Sequence, residues 1–251
     1  MLDVHSPAVG TGRLARANPV AKLAACFVLG IGVSLTDDPV TPALVLVAVL
    51  LALRAGGVAI SVLLRRGWPL LISVTAVGVT TLLFGDNDQP WLTALAVIVR
   101  LLAIALPGVV VLLTIDPTDL ADSLVQNARV PPRFAYASLA ALRLLPLMAT
   151  EWRTIRMARR ARGVDAGRNP LAHLRLFGGT VFTLLVGAVR RGTRLAFAMD
   201  ARGFDATGPR TVARPQVVRR SDFVLVAGAF VLMAAAVAAS AALGAFRPLW
   251  A

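Results

Sequence analysis

The sequence predicts an all-α, polytopic membrane protein, and three observations predict it. Mean hydropathy is +0.76 across 251 residues, with only 16% of side chains charged, below the roughly 25% of an ordinary soluble domain. The apolar residues gather into long runs instead of alternating, which is how a chain writes membrane helices. The remaining charge is a formal +13 and clusters between those runs. In a soluble protein such charge points to nucleic acid. Arginine confined to particular loops of an apolar chain is instead the mark of the positive-inside rule, and no nucleic-acid partner is expected.

Five runs are expected to cross the bilayer: 20–35, 40–53, 68–84, 91–115 and 223–246. Several are shorter than the ~20 residues a crossing helix needs, so flanking residues must contribute. Arg13, Arg16 and Lys22 stand at the start of the first run, which ends at Asp37-Asp38-Pro39. Arg54, Arg65 and Arg66 follow the second, and the acidic turn 86–88 closes the third. The basic segments 13–22, 54–66 and 129–220 therefore share the cytoplasmic side, and the acidic turns 37–38 and 86–88 the other. This orientation puts the N-terminus inside and the C-terminus outside.

The segment 116–222 holds 18 arginines yet keeps apolar stretches. Leu145, Met148, Trp152, Ile155 and Ala158 recur at helical spacing, with Arg153, Arg156 and Arg160 on another face. Val181, Leu185, Ala188, Leu195 and Met199 make a second stripe, with Arg190 and Arg194 off it. Long amphipathic helices at the cytoplasmic face are the expected structure. The chain divides accordingly into four transmembrane helices (1–115), a coupling region (116–222) and a last transmembrane helix (223–251).

Each amphipathic stretch ends in the same pattern, Ala-Arg-Gly-x-Asp, at Ala161-Arg162-Gly163 with Asp165 and at Ala201-Arg202-Gly203 with Asp205. Shuffling a chain of this composition yields about 0.02 copies of that pattern, so two copies point to a repeated job. Gly163 and Gly203 suit the left-handed residue that ends a helix. Arginine in the last turn suits the negative end of the helix dipole, and Arg159 and Arg160 add to the first copy. A slim alanine, a rigid fork of guanidinium donors and a chain-reversing glycine make a tip that can enter an acidic or carbonyl-lined socket. Two tips imply two equivalent sockets.

With these residues the chain resembles the transmembrane T-component (EcfT) of energy-coupling factor transporters, importers of vitamins and transition-metal ions. Members of that family carry two Ala-Arg-Gly signatures at the ends of cytoplasmic coupling helices. "NPVAKLA" at 18–24 and the stretch from "DPTDLADSL" at 116 to the first signature are similar to the family as well, although Asn18 stands where the family has aspartate. The resemblance implies a bacterial cytoplasmic-membrane protein whose Ala161, Arg162, Gly163, Ala201, Arg202 and Gly203 dock into two ABC-type ATPase subunits. Arg159, Arg160, Asp165 and Asp205 would support them. It also implies a separate substrate-binding S-component as partner, with biotin, another B-vitamin, cobalt and nickel all open as cargo. The chain itself would be neither an enzyme nor a cofactor binder. Independently, its single lysine, Lys22, lies in no G-x-x-x-x-G-K loop, so ATP must be handled by a partner.

Two other features carry alternatives. Asp116, Asp119 and Asp122 would suit a lipid- or prenyl-processing membrane enzyme, or simply the start of a helix after Asp116-Pro117. Arg100 lies inside the fourth apolar run, either as a functional contact or as a group paired with backbone or snorkelling. Cys26 is the sole cysteine, and the distant His5 and His173 offer no zinc ligation pattern.

Overall fold

The computed structural model describes residues 17–57, 60–85, 89–164, 167, 169–204 and 211–244. Arg13, Arg16, the acidic turn 86–88, Asp165 and Asp205 lie outside the described residues. Regular structure among those described is helical: α1 (Pro19–Ser34), α2 (Val40–Ala55), α3 (Ile60–Phe84), α4 (Pro90–Thr114), α5 (Pro117–Gln126), α6 (Pro132–Ala161), α7 (Pro170–Ala201) and α8 (Arg220–Ala242). They form two compact units. Met1–Pro131 with Pro215–Ala251 is one, and Pro132–Arg214 is the other.

In the first unit α1 packs on α4 and α8, α2 on the same two helices, α3 on α4, and α5 on α1. Leu29, Val33, Val45, Val49, Leu53, Ala103, Leu106, Val110, Ala229 and Ala236 make the shared core. Small residues let the backbones approach, as in membrane bundles. A Cβ on Gly32 would sit 2.5 Å from Met233 Sδ, and one on Gly78 would sit 2.5 Å from Ile98 Cδ1. The outward faces stay apolar: Phe84 is 83% exposed and Phe223 70%, as expected of surface that meets lipid.

By length and hydropathy α3, α4 and α8 qualify as membrane spans, whereas α1 and α2 have 16 residues each. α1 runs antiparallel to α4. Lys22 Nζ donates to the Thr114 carbonyl at one end, and Arg100 reaches the Ser34 carbonyl and Asp37 at the other. Some ten residues of α4 thus continue beyond the α1–α2 turn, about 15 Å of helix. Arg100 is therefore paired, bridging α4 to the turn at the end of α1.

The α1–α2 turn is held from within. Asp38 is buried; its Oδ2 accepts from Thr41 N at 2.8 Å and from Ser240 Oγ of α8 at 2.6 Å. Asp38→Ala leaves two buried donors unmet, which should cost about 2–4 kcal/mol. Thermal unfolding in detergent checks this, and an unchanged midpoint would show the turn to be held by packing alone.

A second polar knot joins α1, α5 and α8. Asn18 caps α1, its Oδ1 accepting from Val20 N at 3.0 Å and from Ser123 Oγ of α5 at 2.7 Å. The buried Asp222 of α8 accepts from Asn18 N at 2.9 Å and from Arg219 N at 2.7 Å. The buried Lys22 feels the carboxylates of Asp222 and Asp119. Gln216, just before α8, donates from its backbone to Gln126 Oε1 of α5 at 2.7 Å. The two chain segments that lead to and from the second unit are thus tied together on the first.

Candidate functional site

The second unit consists of α6, α7 and the segments around them. Asn169 caps α7 by accepting from Leu171 N, with Pro170 as the first helical residue. Pro146 lies inside α6, which runs on through it. α7 has 32 residues and so spans about 48 Å. The α6–α7 contact is narrow and largely polar. Arg159 of α6 donates to the Leu176 carbonyl at 2.8 Å and to Thr180 Oγ1 at 2.9 Å. Gly179 makes room for it, because a Cβ there would lie 3.3 Å from the guanidinium. Glu151 pairs with Arg191, and Trp152 meets Phe177 edge to face at 5.4 Å between centroids.

Both Ala-Arg-Gly copies fold the same way. Gly163 has φ +74° and Gly203 φ +75°, the left-handed region that costs glycine nothing. Gly163 N donates to the Arg160 carbonyl at 2.9 Å and Val164 N to the Arg159 carbonyl at 3.0 Å. Gly203 N donates to the Asp200 carbonyl at 2.9 Å and Phe204 N to the Met199 carbonyl at 3.0 Å. These paired bonds define the Schellman helix end. Arg162 and Arg202 consequently occupy the same position, the last residue before the left-handed glycine. All six residues of the two copies are exposed.

The two ends differ in their surroundings. Arg160 stands before the first copy and Asp200 before the second. Phe204 packs its ring against Tyr136 of α6, with centroids 6.2 Å apart, while Val164 is exposed. Arg159 is turned toward α7, whereas Arg160 and Arg162 face outward. The apolar stripes are largely uncovered: Leu145 is 61% exposed and Leu185 59%. α7 is itself long and apolar enough to cross a membrane.

The acidic triplet does other work. Asp116 caps α5, accepting from Thr118 N at 2.7 Å, and Pro117 is the first helical residue. Asp119 accepts from Gln216 Nε2 at 3.4 Å. Among the described residues, no group of three or more His, Cys, Asp or Glu side chains could hold a metal ion. The residues that sequence reasoning passed over are the polar cross-links, Glu151–Arg191 and Asn18–Ser123–Asp222. An isolated acid in an arginine-rich or apolar stretch is the only signal that marks them.

Residues 12–212 match the family model for CbiQ, described as a cobalt transport protein. The energy-coupling factor transporter transmembrane protein EcfT of Exiguobacterium sibiricum is 29% identical over 84% of this chain and 87% of its own. Its counterpart from Lacticaseibacillus paracasei is 29% identical over 86% of this chain and 90% of its own. The Limosilactobacillus fermentum protein of the same name is 34% identical over 53% of each chain. With an all-α membrane fold, and a family match spanning both capped Ala-Arg-Gly ends, the chain belongs to the CbiQ/EcfT family, the transmembrane components of energy-coupling factor transporters.

Proposed function

We propose that this chain is the non-catalytic coupling subunit of an ATP-driven importer. Its arginine tips dock into two ABC-type ATPase subunits. The motion of that pair passes along α6 and α7 to a separate S-component that carries the vitamin or metal ion. The observation that carries the reading is the pair of identical Schellman ends presenting Arg162 and Arg202. They terminate successive helices, and the second lies at the far end of an α7 about 48 Å long. Such tips suit two sockets on two subunits, not one.

The same reading places 116–222 on the cytoplasmic side, with α7 lying along the membrane face. Its opposite is concrete. If α7 crossed the bilayer, as its hydropathy permits, the tips would fall on opposite sides. Single cysteines at Val164 and Phe204, in a Cys26→Ser background, test this. In intact cells a membrane-impermeant maleimide is expected to label neither, and both should react once the inner face is opened. Labelling of one from outside would rule out two tips serving one cytoplasmic ATPase pair.

A further inference from the structure

We propose that the groove between α6 and α7 is a binding site for an anionic phospholipid, with the phosphate between Arg156 and Arg160 and an acyl chain along Leu174 and Phe177. The groove encloses about 480 Å³ and lies wholly within the second unit. Among the described residues its lining includes Arg156, Arg159 and Arg160 and no carboxylate. Arg159 donates to neutral acceptors, the Leu176 carbonyl and Thr180 Oγ1, and no carboxylate among the described residues pairs with it. Arg156 and Arg160 are exposed and make no hydrogen bond or ion pair among the described residues. They stand one turn apart on α6, where like charges repel. Three guanidinium groups around one cleft, with no carboxylate partner among the described residues, suit an anion, and the planar fork of arginine fits phosphate oxygens.

The rest of the lining narrows the class of anion. Trp152, Leu174 and Phe177 give the groove an apolar wall. That wall continues along α7, where Leu174 is 69% exposed, Phe177 55% and Phe182 67%. A helix apolar enough to lie in or across a bilayer presents this surface to acyl chains. A molecule with a phosphate diester at one end and a hydrocarbon tail at the other matches both parts. A zwitterionic lipid would bring its quaternary ammonium against the guanidinium groups and should be disfavoured. The site differs from diffuse attraction between a basic segment and an anionic surface, because it assigns the preference to two arginines out of many. It needs α7 at the membrane and does not depend on ATPase docking.

Trp152 in the groove wall provides the probe. The full chain, with Trp68, Trp91 and Trp250 replaced by phenylalanine, is reconstituted in vesicles of phosphatidylcholine and phosphatidylglycerol. Either one or the other lipid carries brominated acyl chains. Brominated phosphatidylglycerol is expected to quench Trp152 about threefold more strongly than brominated phosphatidylcholine. R156Q/R160Q should abolish that preference, while R190Q/R194Q, which removes as much charge further along α7, should keep it. Native mass spectrometry of the unsubstituted chain should retain phosphatidylglycerol over phosphatidylcholine, a readout that survives if a variant fails to fold. Equal quenching by the two lipids overturns the proposal, as does equal loss of preference in both double variants. Equal quenching with a Trp152 emission shift on adding the ATPase pair would overturn it too, and would give the groove to an acidic protein segment.

Discussion

Replacing Arg162 and Arg202 together by glutamate is expected to abolish co-purification with the ATPase pair and to abolish uptake, while the chain still inserts and stays helical. Both arginines are exposed, and among the described residues their side chains make no hydrogen bond or ion pair, so the substitution leaves the Schellman bonds, which are backbone to backbone, in place. At the interface the cost is large. Truncating one partner of a buried, hydrogen-bonded charge pair costs about 2–5 kcal/mol, and reversing its sign adds repulsion. The two tips belong to one polypeptide, so their contributions combine as a bivalent attachment. Either single variant should therefore weaken assembly by roughly 10²–10⁴-fold, through loss of effective concentration, without eliminating it. Intact assembly of the double variant at normal yield would sink the docking role of the tips. This result is also separable from the lipid site, since Trp152 quenching reads Arg156 and Arg160 in the absence of any ATPase.

The second large effect is expected in the fold. Asp222→Ala removes a buried carboxylate that accepts from two backbone amides, Asn18 N and Arg219 N. It also removes a compensating charge from the buried Lys22. Two backbone donors left unmet cost about 3–5 kcal/mol together, roughly a 10 °C fall in the unfolding midpoint for a chain of this size. Asp222→Asn should fall between the parent and the alanine variant, since an amide oxygen still accepts one bond but carries no charge. A fluorescence-monitored melt in detergent measures both. If alanine and asparagine behave alike and lie within 2 °C of the parent (about 1 kcal/mol), the knot is not what ties α8 to α1.

Much of the architecture was legible because membrane helices announce themselves by length and composition. The predicted runs 20–35, 40–53, 68–84 and 91–115 correspond to α1 to α4, and 223–246 to α8. The caps were legible for the same local reason. Asp116-Pro117 opens α5, and Gly163 and Gly203 end α6 and α7, because these residue types satisfy terminal backbone groups whatever lies beyond them. The long amphipathic stripes told less. Leu145 and Leu185 were readable as apolar faces, yet in the second unit they remain uncovered. Periodicity shows that a face is apolar and does not show what buries it.

What the sequence by itself determined is local: an all-α membrane chain, its helix starts and stops, and two tips of the same design. These follow from side-chain polarity and backbone preference over a few neighbouring residues. What only the tertiary structure decided is which charges are already spent. Arg100 is engaged by Asp37, Arg159 by Thr180 and Arg191 by Glu151, while Arg156, Arg160, Arg162 and Arg202 are left facing outward. Arginines alike in sequence separate only when partners 21 to 63 residues away, such as Thr180 or Asp37, are brought within hydrogen-bond reach. No local pattern encodes such pairings, because they depend on how one helix is set against another.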